Sequence, residues 1–138
     1  MISVSRDVDM TFYNTANWGC ELEGTGATRE KCARVIANHF GVNVTRPADR
    51  HYDKYIIATP NNGTWTVMRD ASVTPQKKVN GRICSADDTY RVEIVTPVMH
   101  GAKDIEVFQE VVRQLRKKAG FFPCSTAGCH IHIEIKNL

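Results

Sequence analysis

The stretch "NWGCELEGT", residues 17–25, alternates apolar and polar side chains with a period of two. That period is typical of a β-strand with one buried face, because successive side chains of a strand point to opposite sides. Trp18 and Leu22 share one predicted face, and Glu21 and Glu23 share the other. We therefore predict a strand that carries two carboxylates on its polar side.

Two later stretches, "YRVEIVTP" (90–97) and "CHIHIEI" (129–135), repeat this alternation. Isoleucine and valine fill their apolar sides, as expected for strands that cover a core. Their polar sides carry Arg91 and Glu93 in the first stretch, and His130, His132 and Glu134 in the second. Two more strands are predicted in "YDKYIIAT" (52–59) and "TWTVMRD" (64–70), which "PNNG" joins as a hairpin turn.

Two stretches have the period of an amphipathic helix, "TREKCARVIANHFG" (28–41) and "DIEVFQEVVRQLRKKAG" (104–120). Thr28 and Asp104 are the predicted N-caps, and a glycine follows the last turn of each helix. The segment 71–89 is rich in turn-forming residues, so we predict a long loop there.

The predicted element order is β-α-β-β-β-α-β within a single domain, residues 1–138. This order indicates an α+β fold in which both helices cover one face of a mostly antiparallel sheet. The opposite face would then gather the glutamates, histidines and Arg91 of three strands. Such a face could bind a divalent cation and phosphates, because carboxylates two apart on a strand project side by side. A solvated, exposed face would show the same pattern.

Composition excludes few functions. The net charge of +3 does not by itself indicate nucleic-acid binding. No apolar run is long enough to cross a bilayer, and "MISVSRDVDMTFYNTANWG" lacks the apolar core of a signal peptide, so we expect a cytoplasmic protein. The five cysteines form no Cys-x-x-Cys pair and are expected to be reduced thiols, although Cys124 and Cys129 could pair across a short loop.

Four motifs occur together: "WGCELEGTGATRE", "WTVMRDASV", "YRVEIVTPVMHGAKDIEVFQEVVRQLRKKAG" and "GCHIHIEI". In this order they resemble the amidoligase family, which is related to glutamate–cysteine ligase and glutamine synthetase. The resemblance runs from about Asn17 to the C-terminus and implies half of a glutamine synthetase-like domain. It also implies a sheet that binds Mg²⁺ and ATP, activates a carboxylate substrate as an acyl phosphate and joins it to an amine.

The resemblance also suggests roles for individual residues. Metal ligands would be Glu21, Glu23 and Glu93, and Glu93 would also contact substrate. The candidates for phosphate or substrate contacts are Arg69 and Arg91. His130 and His132 would lie near the nucleotide and metal.

The chain departs from the family pattern at both ends. Family members continue well past the His-x-His strand, whereas this chain ends six residues after His132, so we expect a C-terminally truncated member. The segment 1–16 is not family-like.

The sequence leaves three hypotheses open. The first is a minimal ligase, completed by a homodimer. The second is an inactive ligase fold that serves as a protein-binding or inhibitory module, for example one encoded by a phage or mobile element. The third is a zinc-dependent hydrolase that uses His130 and His132.

Overall fold

The computed structural model of the protein describes residues 10–135 and has an α+β fold. The helices are α1 (Thr11–Thr15), α2 (Arg29–Phe40) and α3 (Lys103–Gln114), and a π-helical turn, Leu115–Ala119, extends α3. The strands are β1 (Asn17–Gly24), β2 (Tyr55–Ala58), β3 (Thr64–Met68), β4 (Gln76–Val79), β5 (Arg82–Ser85), β6 (Val92–Val95), β7 (Met99–His100) and β8 (Cys129–Ile133). Within residues 10–135, no helix combines the length and apolar character needed to cross a bilayer.

The main sheet is antiparallel, and β1 is its central strand. On one side β1 pairs with β6 and β7, and β3 and then β2 continue the sheet beyond β6. On its other side β1 pairs with β8. The three strands predicted to carry polar side chains, β6, β1 and β8, are therefore direct neighbours.

Both long helices cover the same face of this sheet, as predicted. Ile36 of α2 and Leu115 after α3 are fully buried in one core with Trp65, Val67 and Ile94 of the sheet. Burial of such side chains contributes about 1.5–3 kcal/mol each to the hydrophobic term of folding. The opposite face of the sheet is consequently left for polar side chains.

The ends of α2 are those that the sequence predicts. The Thr28 side chain accepts a hydrogen bond from the backbone N–H of Lys31, and Gly41 ends the helix in the left-handed region at φ 70°. The predicted cap of α3 is wrong, because Ala102 occupies the N-cap position. Asp104 lies inside the first turn of α3 and accepts a hydrogen bond from the backbone N–H of His100 instead.

The prediction of a long loop over 71–89 is also wrong. Strands β4 and β5 form a two-stranded hairpin there. The turn residues Asn80 and Gly81 have φ angles of 52° and 77°. Two successive positive φ angles are characteristic of a type I′ hairpin turn, for which Asn-Gly is a favoured pair. The hairpin escaped prediction because β4 and β5 are largely polar and exposed, without the alternation of a half-buried strand.

The predicted order β-α-β-β-β-α-β thus lacks the hairpin, α1 and the two-residue β7. Of the segment 1–16, residues 1–9 lie outside the described part of the chain, and α1 occupies Thr11–Thr15.

Candidate functional site

The strand register brings the predicted polar residues together. Glu23 of β1 lies opposite Glu93 of β6, and Glu21 lies opposite His130 of β8. His132 lies one step further along β8, opposite Gly19. Five of the seven residues proposed from the sequence therefore occupy adjacent positions on one face of three paired strands.

Three carboxylates form the centre of this arrangement: Glu23, Glu93 and Asp70. One oxygen from each lies within 4.8 Å of the others. Asp70 comes from the segment after β3, where Met68 pairs with Glu93 and so sets the following residues beside β6. We call these three residues the acidic cluster.

Glu23 is the most buried member of the acidic cluster, with 7% of its surface exposed. Its Oε2 accepts a hydrogen bond of 2.8 Å from the backbone N–H of Gly128, and its Oε1 lies 3.5 Å from Nε2 of His130. Burial raises the pKa of Glu23, and Asp70 raises it further, whereas Gly128 and His130 act in the opposite direction. A buried carboxylate of this kind requires compensation by a proton or by a cation.

Asp70 is held ionised by its local turn. The hydroxyl of Ser72 donates a 2.6 Å hydrogen bond to Oδ1 of Asp70, and the backbone N–H of Ser72 donates another of 2.8 Å. Burial favours the neutral form, but these hydrogen bonds and the interaction with Glu23 lower the pKa of Asp70 below its ordinary value. The pKa values of Glu23 and Asp70 are thus shifted in opposite directions, so the proton is favoured on Glu23.

Glu93 has the most perturbed carboxyl group of the site. Burial raises its pKa to about 7, and the negative charges of Glu21, Asp70 and Glu23 add to the effect, while His130 opposes it. Glu93 therefore keeps its proton to a higher pH than an ordinary glutamate, and perturbed groups of this kind are concentrated at functional sites.

Glu21 and His132 lie beside the acidic cluster, at the mouth of a groove. Nε2 of His132 is 3.3 Å from Oε2 of Glu21. Both side chains line a groove of about 380 Å³ that runs between β8 and the Thr96–Pro97 break after β6.

The two predicted arginines meet at Asp88, which the sequence did not identify. Nε of Arg69 donates to both Asp88 oxygens, at 2.9 and 3.1 Å, and Nη1 of Arg91 donates to Oδ1 at 2.7 Å. Desolvation opposes the ionisation of Asp88, but the hydrogen bonds from Arg69 and Arg91 hold its pKa below the ordinary value. Arg91 thus pairs with Asp88 and donates to the carbonyl of Val73.

Asp70 was also not assigned from the sequence, although it lies inside the quoted motif "WTVMRDASV". Two signals could have identified it. It continues the polar side of β3 beyond Met68, and the Asp-x-Ser spacing is typical of a turn in which an Asp side chain accepts bonds from the residue two positions later.

The donors of the acidic cluster fit a hard divalent cation better than zinc. All three are carboxylate oxygens, the ligands that Mg²⁺ prefers, and zinc prefers nitrogen and sulfur. Across residues 10–135 this trio is the group of potential ligands that lies close enough to share an ion, and it includes no histidine. The geometry thus gives no support to the zinc-hydrolase hypothesis.

Clustered carboxylates and adjacent histidines thus share one polar face of the sheet. Residues 14–138 match the family described as "Putative amidoligase enzyme", so the chain belongs to the amidoligase family. No match occurs among the curated proteins or among the solved structures. Membership confirms the family resemblance and assigns a ligase-like function at the level of the family.

Proposed function

We propose that the protein is an ATP-dependent carboxylate–amine ligase that uses Mg²⁺ and forms an amide through an acyl phosphate. The proposal is supported by the acidic cluster of Glu23, Asp70 and Glu93 on the polar face of the sheet, in a chain that belongs to the amidoligase family. The predicted catalytic and ligand roles of individual residues remain part of the proposal.

The acidic cluster fits Mg²⁺ in donor type and charge. Burial and the neighbouring negative charges raise the pKa of Glu93 to about 7, and a divalent cation would relieve the repulsion among the carboxylates. Glu23, Asp70 and Glu93 would hold the ion, with Glu21 beside them. Bound Mg²⁺ would neutralise charge on the phosphoryl oxygens of ATP.

The proposed reaction has two displacements. A carboxylate oxygen of the acid substrate attacks the γ-phosphorus of ATP, and ADP leaves; the amine then attacks the acyl carbon, and inorganic phosphate leaves. His130 and His132, whose Nε2 atoms lie 3.5 Å from Glu23 and 3.3 Å from Glu21, would contact the phosphates or the metal-bound carboxylates. Arg69, next to Asp70 in the chain and 38% exposed, can present its remaining N–H groups to a phosphate while Asp88 fixes its Nε.

Binding of ATP tests this proposal directly. Mg-ATP should bind the wild-type protein in calorimetric titration. Glu23→Gln should abolish the heat of binding, while the circular dichroism spectrum of the variant stays that of the wild type. Glu110→Gln is the matched control, because Glu110 is a partly exposed glutamate on α3 that pairs with Arg113. If wild type binds no Mg-ATP, or if Glu110→Gln loses binding as fully as Glu23→Gln, the proposal fails. Confirmed binding would justify a screen of acids and amines for ADP release.

A second candidate function, a protein-binding module, is favoured by an apolar groove on the helical side of the sheet. The groove has a volume of about 400 Å³ and is almost wholly apolar. Exposed isoleucines of β8 form one wall, with Ile131 63% and Ile133 52% exposed. Its other main side chains are Phe12, Tyr13, Trp18 and Phe108. A contiguous apolar surface of this kind is typical of a site for a protein partner.

We infer that a second copy of the chain is the partner. Within the described residues no strand pairs with the outer edge of β8. Glu134 N–H bonds to the Asn17 carbonyl and Gly128 C=O accepts from Glu23, so the alternate residues Ile131 and Ile133 direct their backbone groups outward. Antiparallel pairing of two β8 strands about His132 would set His130 of each copy opposite Glu134 of the other, and Ile131 opposite Ile133. Polar side chains would then meet polar side chains, and isoleucines would meet isoleucines.

The oligomeric state tests this second candidate. Sedimentation velocity over a concentration series should show a dimer, and Ile133→Lys should shift the species to monomer, because a lysine on an edge strand opposes pairing. Ile83→Lys is the control, since Ile83 is exposed on the β4–β5 hairpin and distant from the groove in sequence and pairing. A wild-type monomer at all concentrations would contradict the dimer, as would an unchanged dimer in Ile133→Lys. The cytoplasmic location and an origin in a phage or mobile element remain predictions.

A further inference from the structure

Two thiols face each other across the β1–β8 pair, on the side opposite the acidic cluster. Sγ of Cys20 and Sγ of Cys129 are 3.2 Å apart. Both are free thiols in the structure. A covalent S–S bond measures about 2.05 Å, so closure requires the sulfurs to approach by only about 1.2 Å.

The strand register explains this proximity. Cys20 lies opposite Ile131, and Cys129 lies opposite Leu22, so the two cysteines are diagonal neighbours on the same side of the sheet. Diagonal side chains on paired antiparallel strands are within reach of one another. The edge position of β8 leaves room for the small movement that closure needs, because β8 is held by β1 along one side.

We propose that Cys20 and Cys129 form a reversible disulfide that links β1 to β8 when the protein meets a small-molecule disulfide oxidant. This cysteine pair goes beyond the proposed ligase function and does not depend on it. It also differs from the pair considered from the sequence, because Cys124 lies 3.3 Å from the hydroxyl of Thr126 and Cys129 faces Cys20.

The difference in exposure between the two thiols indicates which of them reacts first with the oxidant. Cys129 is exposed, whereas Cys20 is 2% exposed. The Cys129 thiolate attacks one sulfur of oxidised glutathione and releases one glutathione thiolate, which gives a mixed disulfide. Cys20 then loses its proton and attacks the Cys129 sulfur, and the second glutathione leaves. Two protein thiols are oxidised, and one glutathione disulfide is reduced to two glutathiones.

The disulfide would have a local consequence at the polar face. Cys20 and Cys129 are the chain neighbours of Glu21 and His130, which lie opposite each other in the sheet. A covalent link would therefore fix the histidine-bearing strand to the strand that carries Glu21 and Glu23. It would also close a loop of about 110 residues, for which cross-linking restricts the unfolded chain strongly.

Peptide mapping after incubation of the folded protein with oxidised glutathione tests the proposal. The expected product is a Cys20–Cys129 cross-linked peptide pair that dithiothreitol converts back to two thiols. Cys32, Cys84 and Cys124 should remain outside that product. The oxidised protein should melt roughly 10 °C higher than the reduced protein.

Two serine variants make the test specific. Cys129→Ser should lose the cross-link and the rise in melting temperature, and it changes an exposed residue, so folding should persist. Cys84→Ser, at another exposed cysteine, should retain both. The proposal is overturned if the folded wild type gives only glutathione adducts, if Cys20 and Cys129 pair only in denaturant, or if Cys129→Ser keeps the melting shift.

Discussion

Glu23 and Glu93 lie directly opposite each other where β1 pairs with β6. Like charges at directly opposed positions of an antiparallel pair destabilise the sheet. Here a third carboxylate, Asp70, joins them, and one oxygen of each lies within 4.8 Å of the others. The fold therefore bears an electrostatic cost at this position, which a proton or a bound cation can relieve.

Glu93→Gln should stabilise the metal-free protein at high pH. The pKa of Glu93 is raised from 4.5 to about 7 in the folded protein. Its contribution to stability is fully present below about pH 4.5 and is lost as the pH rises through about 7, because only the folded state retains the proton in that window. Glutamine stays neutral throughout, so its advantage should grow across the window to about 1–2 kcal/mol at pH 8, after allowance for solvent screening.

Urea unfolding of wild type and Glu93→Gln at about pH 5 and about pH 8 checks this sign. Chelator must be present, so that a trace cation does not replace the proton. An advantage of Glu93→Gln that is equal at both pH values would show that Glu93 does not carry the proton.

Mg²⁺ should raise the melting temperature more at about pH 8 than at about pH 6, because the ion and the proton compete for Glu93. Asp70→Asn should remove most of the rise by deleting one charge of the acidic cluster, while its side-chain oxygen can still accept bonds from Ser72. Differential scanning calorimetry with and without Mg²⁺ measures the effect. A rise that is independent of pH, or one that Asp70→Asn retains, would exclude the acidic cluster as the binding site.

The sequence predicts the polar face well where alternation is regular, and it does less well where long-range pairing decides the geometry. The period of two in β1 and β6 correctly places Glu21, Glu23 and Glu93 on one side, because in a half-buried strand the side-chain period is also the period of burial. Asp88 follows no such period, and Asp70 continues the polar side of β3 but lies beyond the end of that strand. Asp70 joins the site through the pairing of β3 with β6, and Asp88 through a 3₁₀ turn, Asp88–Tyr90, that brings it to Arg69.

Arg29→Met should destabilise the protein far more than Arg34→Met on the same helix. Arg29 is 5% exposed, its Nε donates to Asp53 at 2.8 Å, and its Nη1 donates to the carbonyls of Asp88 and Arg91. Removing one partner of a buried, hydrogen-bonded ion pair costs about 3–5 kcal/mol. Arg34 pairs with Glu30 on the helix surface, where such a pair contributes about 0.3–0.5 kcal/mol.

Urea unfolding of the two variants measures the difference, and added salt distinguishes the mechanisms. The Arg34–Glu30 contribution should diminish in salt because exposed charges are screened, whereas the cost of Arg29→Met should change little. Similar losses of unfolding free energy in both variants would mean that the hydrogen bonds from Arg29 do not hold the segment 88–91 to α2.

Gly24→Ala should destabilise the fold, and Gly19→Ala in the same strand should not. A Cβ atom at Gly24 would lie 2.3 Å from Cζ of Phe121, which is itself buried against the sheet. A Cβ atom at Gly19 would lie 3.6 Å from Oγ1 of Thr96, an ordinary contact. Overpacking at a buried position costs about 1–3 kcal/mol, whereas alanine in place of glycine inside a strand can gain about 0.5–1 kcal/mol.

The cause can be isolated with the double variant Gly24→Ala, Phe121→Leu. A smaller side chain at position 121 gives the new Cβ room, so the two substitutions should cost less together than the sum of their separate costs. Unfolding free energies of the single and double variants measure this coupling. Additive losses would contradict the packing of Phe121 on Gly24. They would also imply that Gly24 is required for the backbone conformation at the end of β1, where the chain leaves the strand toward α2.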